Sequence, residues 1–331
     1  MAYTAIDDPE AYFQVKTYTG TGSSAALTLD GDTDMQPDLV WIKERGGTQN
    51  NIVTDAVRGT NKNLYSDSTS AEATTTDNIT AFGSDGFTVA GAGNETNGSS
   101  KTYVAWCWKE SATSGFDIVS FTGNATARTI SHSLSAVPKF MIIRNRPDTA
   151  NFLVYHGANT SAPATDGLYM NSNGATDDDA GFFNDTDPTS SVFSVGTNNN
   201  ANGNTDAMIA YLFAEKQGFS KFGSYTGNGS ADGTFVYTGF RPAFVMIKQT
   251  DSTGNWMLWD SKRLGYNPNQ NEMYANTSHA EQTDDRIDLL SNGFKLLENT
   301  AGFNGSGDTH IFMAFAEAPF VNSNGVPCNA R

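Results

Sequence analysis

The sequence is short of charge, of cysteine and of histidine, and each shortage removes a class of function. Only 17% of its 331 residues are charged, against about 25% in an average soluble domain. The charge is one-sided: 36 Asp and Glu stand against 20 Lys and Arg, a net −16. A nucleic-acid partner needs clustered cations to neutralise phosphate, and an anionic membrane surface attracts the same sign. Neither fits this chain. No run of 18 apolar residues occurs, so no transmembrane helix or membrane insertion is expected. The first ten residues are polar and acidic, without the basic and apolar regions of a secretory signal. With Cys107 and Cys328 alone, a disulfide framework is not indicated. Cys107, between Trp106 and Trp108, reads as a small buried hydrophobe. These features together describe a chain made in a reducing cytoplasm.

Catalytic signatures are missing as well. The four histidines, His132, His156, His279 and His310, show no metal-ligand spacing. His156 follows an apolar strand and reads as a surface or turn residue. There is no nucleophile elbow, P-loop or dinucleotide fingerprint. Glycoside hydrolysis needs paired carboxylates, but the alternating Glu-x-Asp-x-x-Glu strand of sandwich-fold glucanases does not occur here. The expectation is therefore a protein that is not an enzyme. What is abundant is Gly (32 residues) and aromatics (11%). A disordered chain would be poor in aromatics, so this one folds.

The sequence repeats itself three times, which is the signature of a repeat architecture. A proline leads an apolar run at Pro37-Asp38-Leu39-Val40-Trp41-Ile42-Lys43, Pro138-Lys139-Phe140-Met141-Ile142-Ile143-Arg144 and Pro242-Ala243-Phe244-Val245-Met246-Ile247-Lys248. Before each run stands an aromatic-Thr-Gly triplet, ending at Gly20, Gly123 and Gly227. After it come Ser84-Asp85-Gly86-Phe87, the weaker Ser190-Ser191-Val192-Phe193, and Ser291-Asn292-Gly293-Phe294. Asn97-Gly98, Asn202-Gly203 and Asn304-Gly305 then precede aromatic-rich runs that end at Glu110, Glu215 and Glu317. The boundaries this implies are a first unit at 1–110, a second at 116–215, a third at 219–320 and a tail at 321–331. The linkers are short enough to hold the units in a semi-rigid row.

Within a unit the runs are short, β-branched and aromatic, and apolar on both parities, as in strands buried on both faces. Gly/Asn/Asp/Ser clusters such as 91–101 and 197–206 read as turns and polar loops. Helical patterning is confined to 71–76 and 280–285. The fold expected is all-β: three tandem antiparallel β-sandwich modules, of jelly-roll or lectin-like type, about 100 residues each.

Few residues offer binding chemistry. Asp30, Asp32 and Asp34 alternate and present oxygens suited to Ca²⁺, though Met35 stands where a calcium loop wants glycine. The reading favoured is a solvated acidic loop, so no cofactor is expected beyond this one candidate. Trp256 and Trp259, beside Asn255, are candidates for the aromatic platform of a sugar site. They also suit the core of the third unit, since the matching segments at Ile52-Val53 and Phe152-Leu153-Val154-Tyr155 are apolar. Glu110, Glu215 and Glu317 read as structural caps or as hydrogen-bond partners of a neighbouring loop. Glu72 and Glu281 match each other in the first and third units, with no counterpart in the second.

The phrases Tyr18-Thr19-Gly20, Gln36-Pro37-Asp38-Leu39-Val40-Trp41-Ile42-Lys43, Ser84-Asp85-Gly86-Phe87, Tyr103-Val104-Ala105-Trp106-Cys107-Trp108-Lys109 and Phe219-Ser220-Lys221-Phe222-Gly223-Ser224-Tyr225-Thr226-Gly227 resemble a repeat family of virion proteins from marine tailed bacteriophages. The resemblance covers about 11–320. It implies a virion structural role, often that of a tail fibre, built from lectin-like sandwich modules. It carries over no catalytic residue. The function expected is an externally displayed tail-fibre or appendage component, localised to the virion after synthesis in the host cytoplasm. Its partners would be other virion proteins, copies of itself and host-surface glycan. A capsid (head) decoration protein and a sandwich-fold glycan-degrading enzyme are the rival expectations.

Overall fold

The proline-led runs become central strands of three antiparallel sheets. The computed structural model describes residues 4–319 apart from 92, 265 and 266; the expected tail 321–331 and Cys328 lie outside the described residues. In the first sheet the strand order is Phe13–Thr19, Thr102–Trp108, Leu39–Glu44, Ile52–Asp55, Lys62–Tyr65, Ala73–Thr74. The second follows the same order with Phe116–Thr122, Ala207–Ala214, Pro138–Asn145, Phe152–His156, Asp166–Tyr169 and Asp177–Asp178. The third begins likewise with Ser220–Thr226, Thr309–Pro319, Phe240–Gln249, Met257–Asp260 and Asn269–Tyr274. It then continues through Gln282–Leu290 and Gly293–Leu296 to an edge strand, Phe235–Tyr237. Smaller sheets, Ala25–Leu27 with Gly86–Val89 and Ile79–Gly83, and Arg128–Ser131 with Val192–Val195, cover one face of the first two. The chain is all-β, as expected.

Burial on both strand faces has a specific cause. Because successive side chains point to opposite faces, Val40, Ile42, Ala105 and Cys107 face the small sheet and form a local core. Their neighbours Leu39, Trp41, Trp106 and Trp108 belong to a second cluster, which also holds Phe140, Tyr211, Phe213, Phe244 and Phe315. All three large sheets thus share one core. Its centre is a triangle of matched residues: the Trp108, Phe213 and Phe315 rings lie 6.3, 5.8 and 5.8 Å apart. The row expected from short linkers is instead a closed arrangement, in which the third sheet also meets the first. Linker length limits separation but does not choose a packing face; the apolar second face does.

The repeated small motifs hold loops to sheets. Gly20, Gly123 and Gly227 run so close to Gly98, Gly203 and Gly305 that an added Cβ would sit 2.2, 1.9 and 2.2 Å from their carbonyl oxygens. Side chains are excluded there by contact, which explains why both motifs recur. The preceding asparagines are buried. Asn97 Oδ1 accepts from the Thr21 N–H at 2.8 Å while its Nδ2 donates to the carbonyls of Ser23 and Ala90 at 2.7 Å each. Asn202 and Asn304 make the same reciprocal bonds to the loops at Asn124 and Asn228. Each such asparagine ends a single helical turn, at Asn94–Asn97, Asn199–Asn202 and Ala301–Asn304. The helical turns therefore sit in stretches read as polar loops, whereas 71–76 and 280–285 contribute to strands Ala73–Thr74 and Gln282–Leu290. Loop-to-sheet tethering outweighed local propensity at these places.

Candidate functional site: the junctions between sheets

The densest chemistry in the described residues lies where the large sheets meet. Register alignment matches Asp55, His156 and Asp260, which stand opposite Leu39, Phe140 and Phe244. At the junction of first and second sheets, Tyr211 Oη donates to Asp55 Oδ2 at 2.6 Å. Arg58 Nε holds the same oxygen at 2.5 Å, and its Nη1 reaches Glu72 at 3.1 Å. Arg146 of the second sheet closes the chain on Glu72 at 2.8 Å. At the junction of third and first sheets the same chain is built from Trp106, Asp260, Arg263, Glu281 and Arg45. Trp106 Nε1 donates to Asp260 at 3.1 Å, Arg263 bridges Asp260 and Glu281 at 2.6 and 3.0 Å, and Arg45 meets Glu281 at 2.9 Å.

The junction of second and third sheets carries no ions in these positions. His156 replaces the aspartate, Asn159 the first arginine, Thr176 the glutamate, Thr250 the second arginine and Met313 the aromatic donor. His156 Nε2 meets the Phe312 carbonyl at 3.1 Å, and its Nδ1 accepts from the Ala158 N–H at 3.0 Å. Thr176 Oγ1 donates to Asn159 Oδ1 at 2.8 Å. The backbone is conserved in form even so: the N–H groups of Glu72, Glu281 and Thr176 donate to the carbonyls of Arg146, Arg45 and Thr250 at 2.7, 2.8 and 2.8 Å. All five positions differ from the charged junctions as a set, as buried charge requires, because one unpaired ion would be costly.

The electrostatics follow. Burial opposes the charge on Arg58, but Tyr211, Asp55 and Glu72 more than offset it and raise its pKa above the guanidinium value. Burial works to raise Glu72, while Arg146 and Arg58 hold it below the usual carboxylate value. The basic residues that close the proline-led runs are buried too. Lys43, Arg144 and Lys248 donate to carbonyls of a neighbouring sheet's loops, at Ser278, Thr69 and Asn173. Burial lowers their pKa values to about 8, 10 and 8.

His156 is buried rather than at the surface, and burial lowers its pKa from 6.5 to about 4. The two bonds define one tautomer, with the proton on Nε2. Protonating Nδ1 would aim a donor at the Ala158 N–H. The folded state therefore binds this proton more weakly than the unfolded chain does. The stabilisation is complete above pH 6.5 and is lost as pH falls towards 4, by on the order of 3 kcal/mol. Glu110 works in the opposite sense: burial, then Asp117, raises it to about 7, so its contribution is lost as pH rises through 7. Comparison with His156→Gln isolates the histidine. Urea unfolding of that variant should lack the added loss between pH 7 and 4.5; parallel curves for both proteins would refute this account.

The other candidate residues separate. Trp256 and Trp259 are 1% and 0% exposed, and Trp256 Nε1 donates to the Tyr169 carbonyl at 3.0 Å. Trp256, whose ring lies 6.5 Å from that of Phe140, belongs to the junction of second and third sheets, whereas Trp259 packs beside Phe303 at 6.3 Å within the third unit, and the Asn255 Oδ1 accepts from Asn276 of the same unit. A buried ring has no face to offer a sugar, so the platform expected there is corrected to core. Asp30, Asp32 and Asp34 are exposed, and Asp30 pairs with Lys16 at 2.5 Å. They do not converge, and among the described residues no group of three or more acidic, His or Cys side chains is placed to hold a metal. Glu110, Glu215 and Glu317 do bind locally, through the Ile118 N–H at 3.3 Å, Lys221 at 2.9 Å and Arg241 at 3.1 Å. Asp55, Arg58, Asp260 and Arg263 were missed, although Asp-x-x-Arg recurs in two units and becomes His-x-x-Asn in the middle one.

No curated protein matches the chain. One family model, described as a domain of unknown function (DUF7483), matches residues 8–319, and with that span, which contains all three sheets and their junctions, the chain belongs to this family.

Proposed function

We propose that this chain is a non-catalytic structural protein of a tailed-phage particle. In this reading it is displayed on the outside as a tail-fibre or appendage component and contacts host-surface glycan or neighbouring virion proteins. The observation that carries it is the use made of the recurring polar residues. Arg146 and Arg45 pair with Glu72 and Glu281 of a neighbouring sheet, Arg58 and Arg263 tie those glutamates to the buried Asp55 and Asp260, and the recurring asparagines pin loops within each unit. They give rigidity to a scaffold whose outward loops are rich in Gly, Asn, Ser and Thr. The sequence resemblance to virion repeat proteins supplies the setting.

A capsid decoration protein is the second reading, and one observation favours it: three like sheets packed on one shared core make a compact body suited to a repeated position on a symmetric shell. Gold-labelled antibody against the chain, applied to purified particles, separates the two. Label on an appendage supports the first reading and label on the head the second; particles free of the protein would sink both. Incubation with host polysaccharide should release no reducing ends. Steady release, abolished by mutation of one carboxylate, would overturn the non-catalytic reading in favour of a glycan-degrading enzyme.

A further inference from the structure

Large apolar side chains are rarely exposed among the described residues, and the exposed aromatic ones there are confined to one strand. Among the described residues, Phe235 and Tyr237 are 45% and 54% exposed. They stand two apart on the edge strand Phe235–Tyr237, with buried Val236 between them, so both rings lie on its outer face. The register shows that the fold does not require them. Val236 stands opposite Phe294 as Leu27 stands opposite Phe87 and Ile130 opposite Phe193. The flanking positions in the other two units are Ala26 and Thr28, and Thr129 and Ser131, all exposed. Two aromatics at solvent-facing positions where the sister units carry small residues call for a reason outside folding.

Beside Tyr237 lies a cleft of about 270 Å³, lined by Glu215, Gln217, Ser220, Lys221 and Thr238 together with that ring. Lys221 and Glu215 form an ion pair of 2.9 Å, each side chain about one-third exposed. The cleft thus offers a carboxylate acceptor, an ammonium donor and an amide that does both, next to an apolar ring face. Sugars have the complementary form, with hydroxyls at the ring edge and C–H groups on its face. The charge decides which sugars. The only cation lining the cleft is already neutralised by Glu215, and the chain carries −16, which repels an acidic polysaccharide.

We propose that Phe235, Tyr237 and this cleft form a binding site for a neutral oligosaccharide, present once per chain; this rests on the reading of a surface protein that contacts glycan. Calorimetric titration of the full chain with maltohexaose, laminarihexaose and chitohexaose tests it, with a hyaluronan fragment as the acidic control. At least one neutral hexasaccharide should bind with Kd near about 1 mM, and at least about tenfold more weakly to the Phe235→Ala/Tyr237→Ala variant. The circular dichroism of that variant should be unchanged, because both rings are exposed. The proposal fails if no neutral probe binds, if the variant binds as well as the parent, or if hyaluronan binds best. It also fails if the parent self-associates through this patch and the variant does not. Binding lost while the chain is still found on particles would remove this site and leave the virion reading standing. Particles without the protein would remove the virion reading whatever the titration gave.

Discussion

Replacing Phe315 with alanine should lower the unfolding free energy by about 3–5 kcal/mol, the upper range for loss of a core aromatic. Its ring is the hub of the shared core. It lies 5.0 Å from Phe13 of the first sheet, 5.8 Å from both Trp108 and Phe213, and 5.7 Å from Phe219. Deleting it empties a space bounded by three sheets, each tied to the others, so none can move inward without strain at a junction. Urea denaturation followed by tryptophan fluorescence and by far-ultraviolet circular dichroism measures the loss. The same experiment on the parent should give one coincident transition, because the sheets share a core. A loss below about 1.5 kcal/mol, or three separable transitions, would mean that the shared core contributes little beyond its parts.

The second large effect is expected at Arg58. Its guanidinium is fully buried and bonded to Asp55 and Glu72, so Arg58→Ala leaves Asp55 in the interior without its cation. Removal of one partner from a buried pair costs about 3–5 kcal/mol, whereas exchange of the whole set for neutral residues is often close to neutral. The protein contains that exchange already, at the junction of second and third sheets. Asp55→His, Arg58→Asn, Glu72→Thr, Arg146→Thr and Tyr211→Met together would install it at the junction of first and second. The fivefold variant should be more stable than Arg58→Ala alone, despite carrying more changes. Strict additivity of the single substitutions would show that the five positions do not act as a set.

These junctions mark the border of what the sequence makes legible. Strands buried on both faces could be read from Val40-Trp41-Ile42 and its repeats, because two-sided burial removes the polar alternation. The Asn-Gly and aromatic-Thr-Gly motifs were visible as repeats, and their close contact supplies the reason for them. Which residues face the second layer could not be read, since Trp106 and Cys107 are equally apolar while one faces a neighbouring sheet and the other the local core. His156 looked like a turn residue because a polar side chain at a strand end normally meets water; here a neighbouring sheet covers it. Trp256 and Trp259 suggested a sugar platform on chemistry alone, and only burial decides against it. Asp-x-x-Arg acquires meaning once its partners, Tyr211 and Arg146 for one pair and Trp106 and Arg45 for the other, are known to come from other sheets.

The position of each closing strand within its sheet has a consequence for synthesis. Thr102–Trp108, Ala207–Ala214 and Thr309–Pro319 each lie between two strands that precede them in the chain. As the polypeptide leaves the ribosome, every large sheet therefore waits in two halves until its final strand is inserted. Phe315 is translated after every ring it touches, so the common core is the last part of the molecule that can close. Contacts of such long sequence separation form slowly, and until they form the apolar faces of the first two sheets stand open. A folding helper acting during translation, or rapid capture of the finished chain by its own copies, would protect those faces at the stage where aggregation is most favoured.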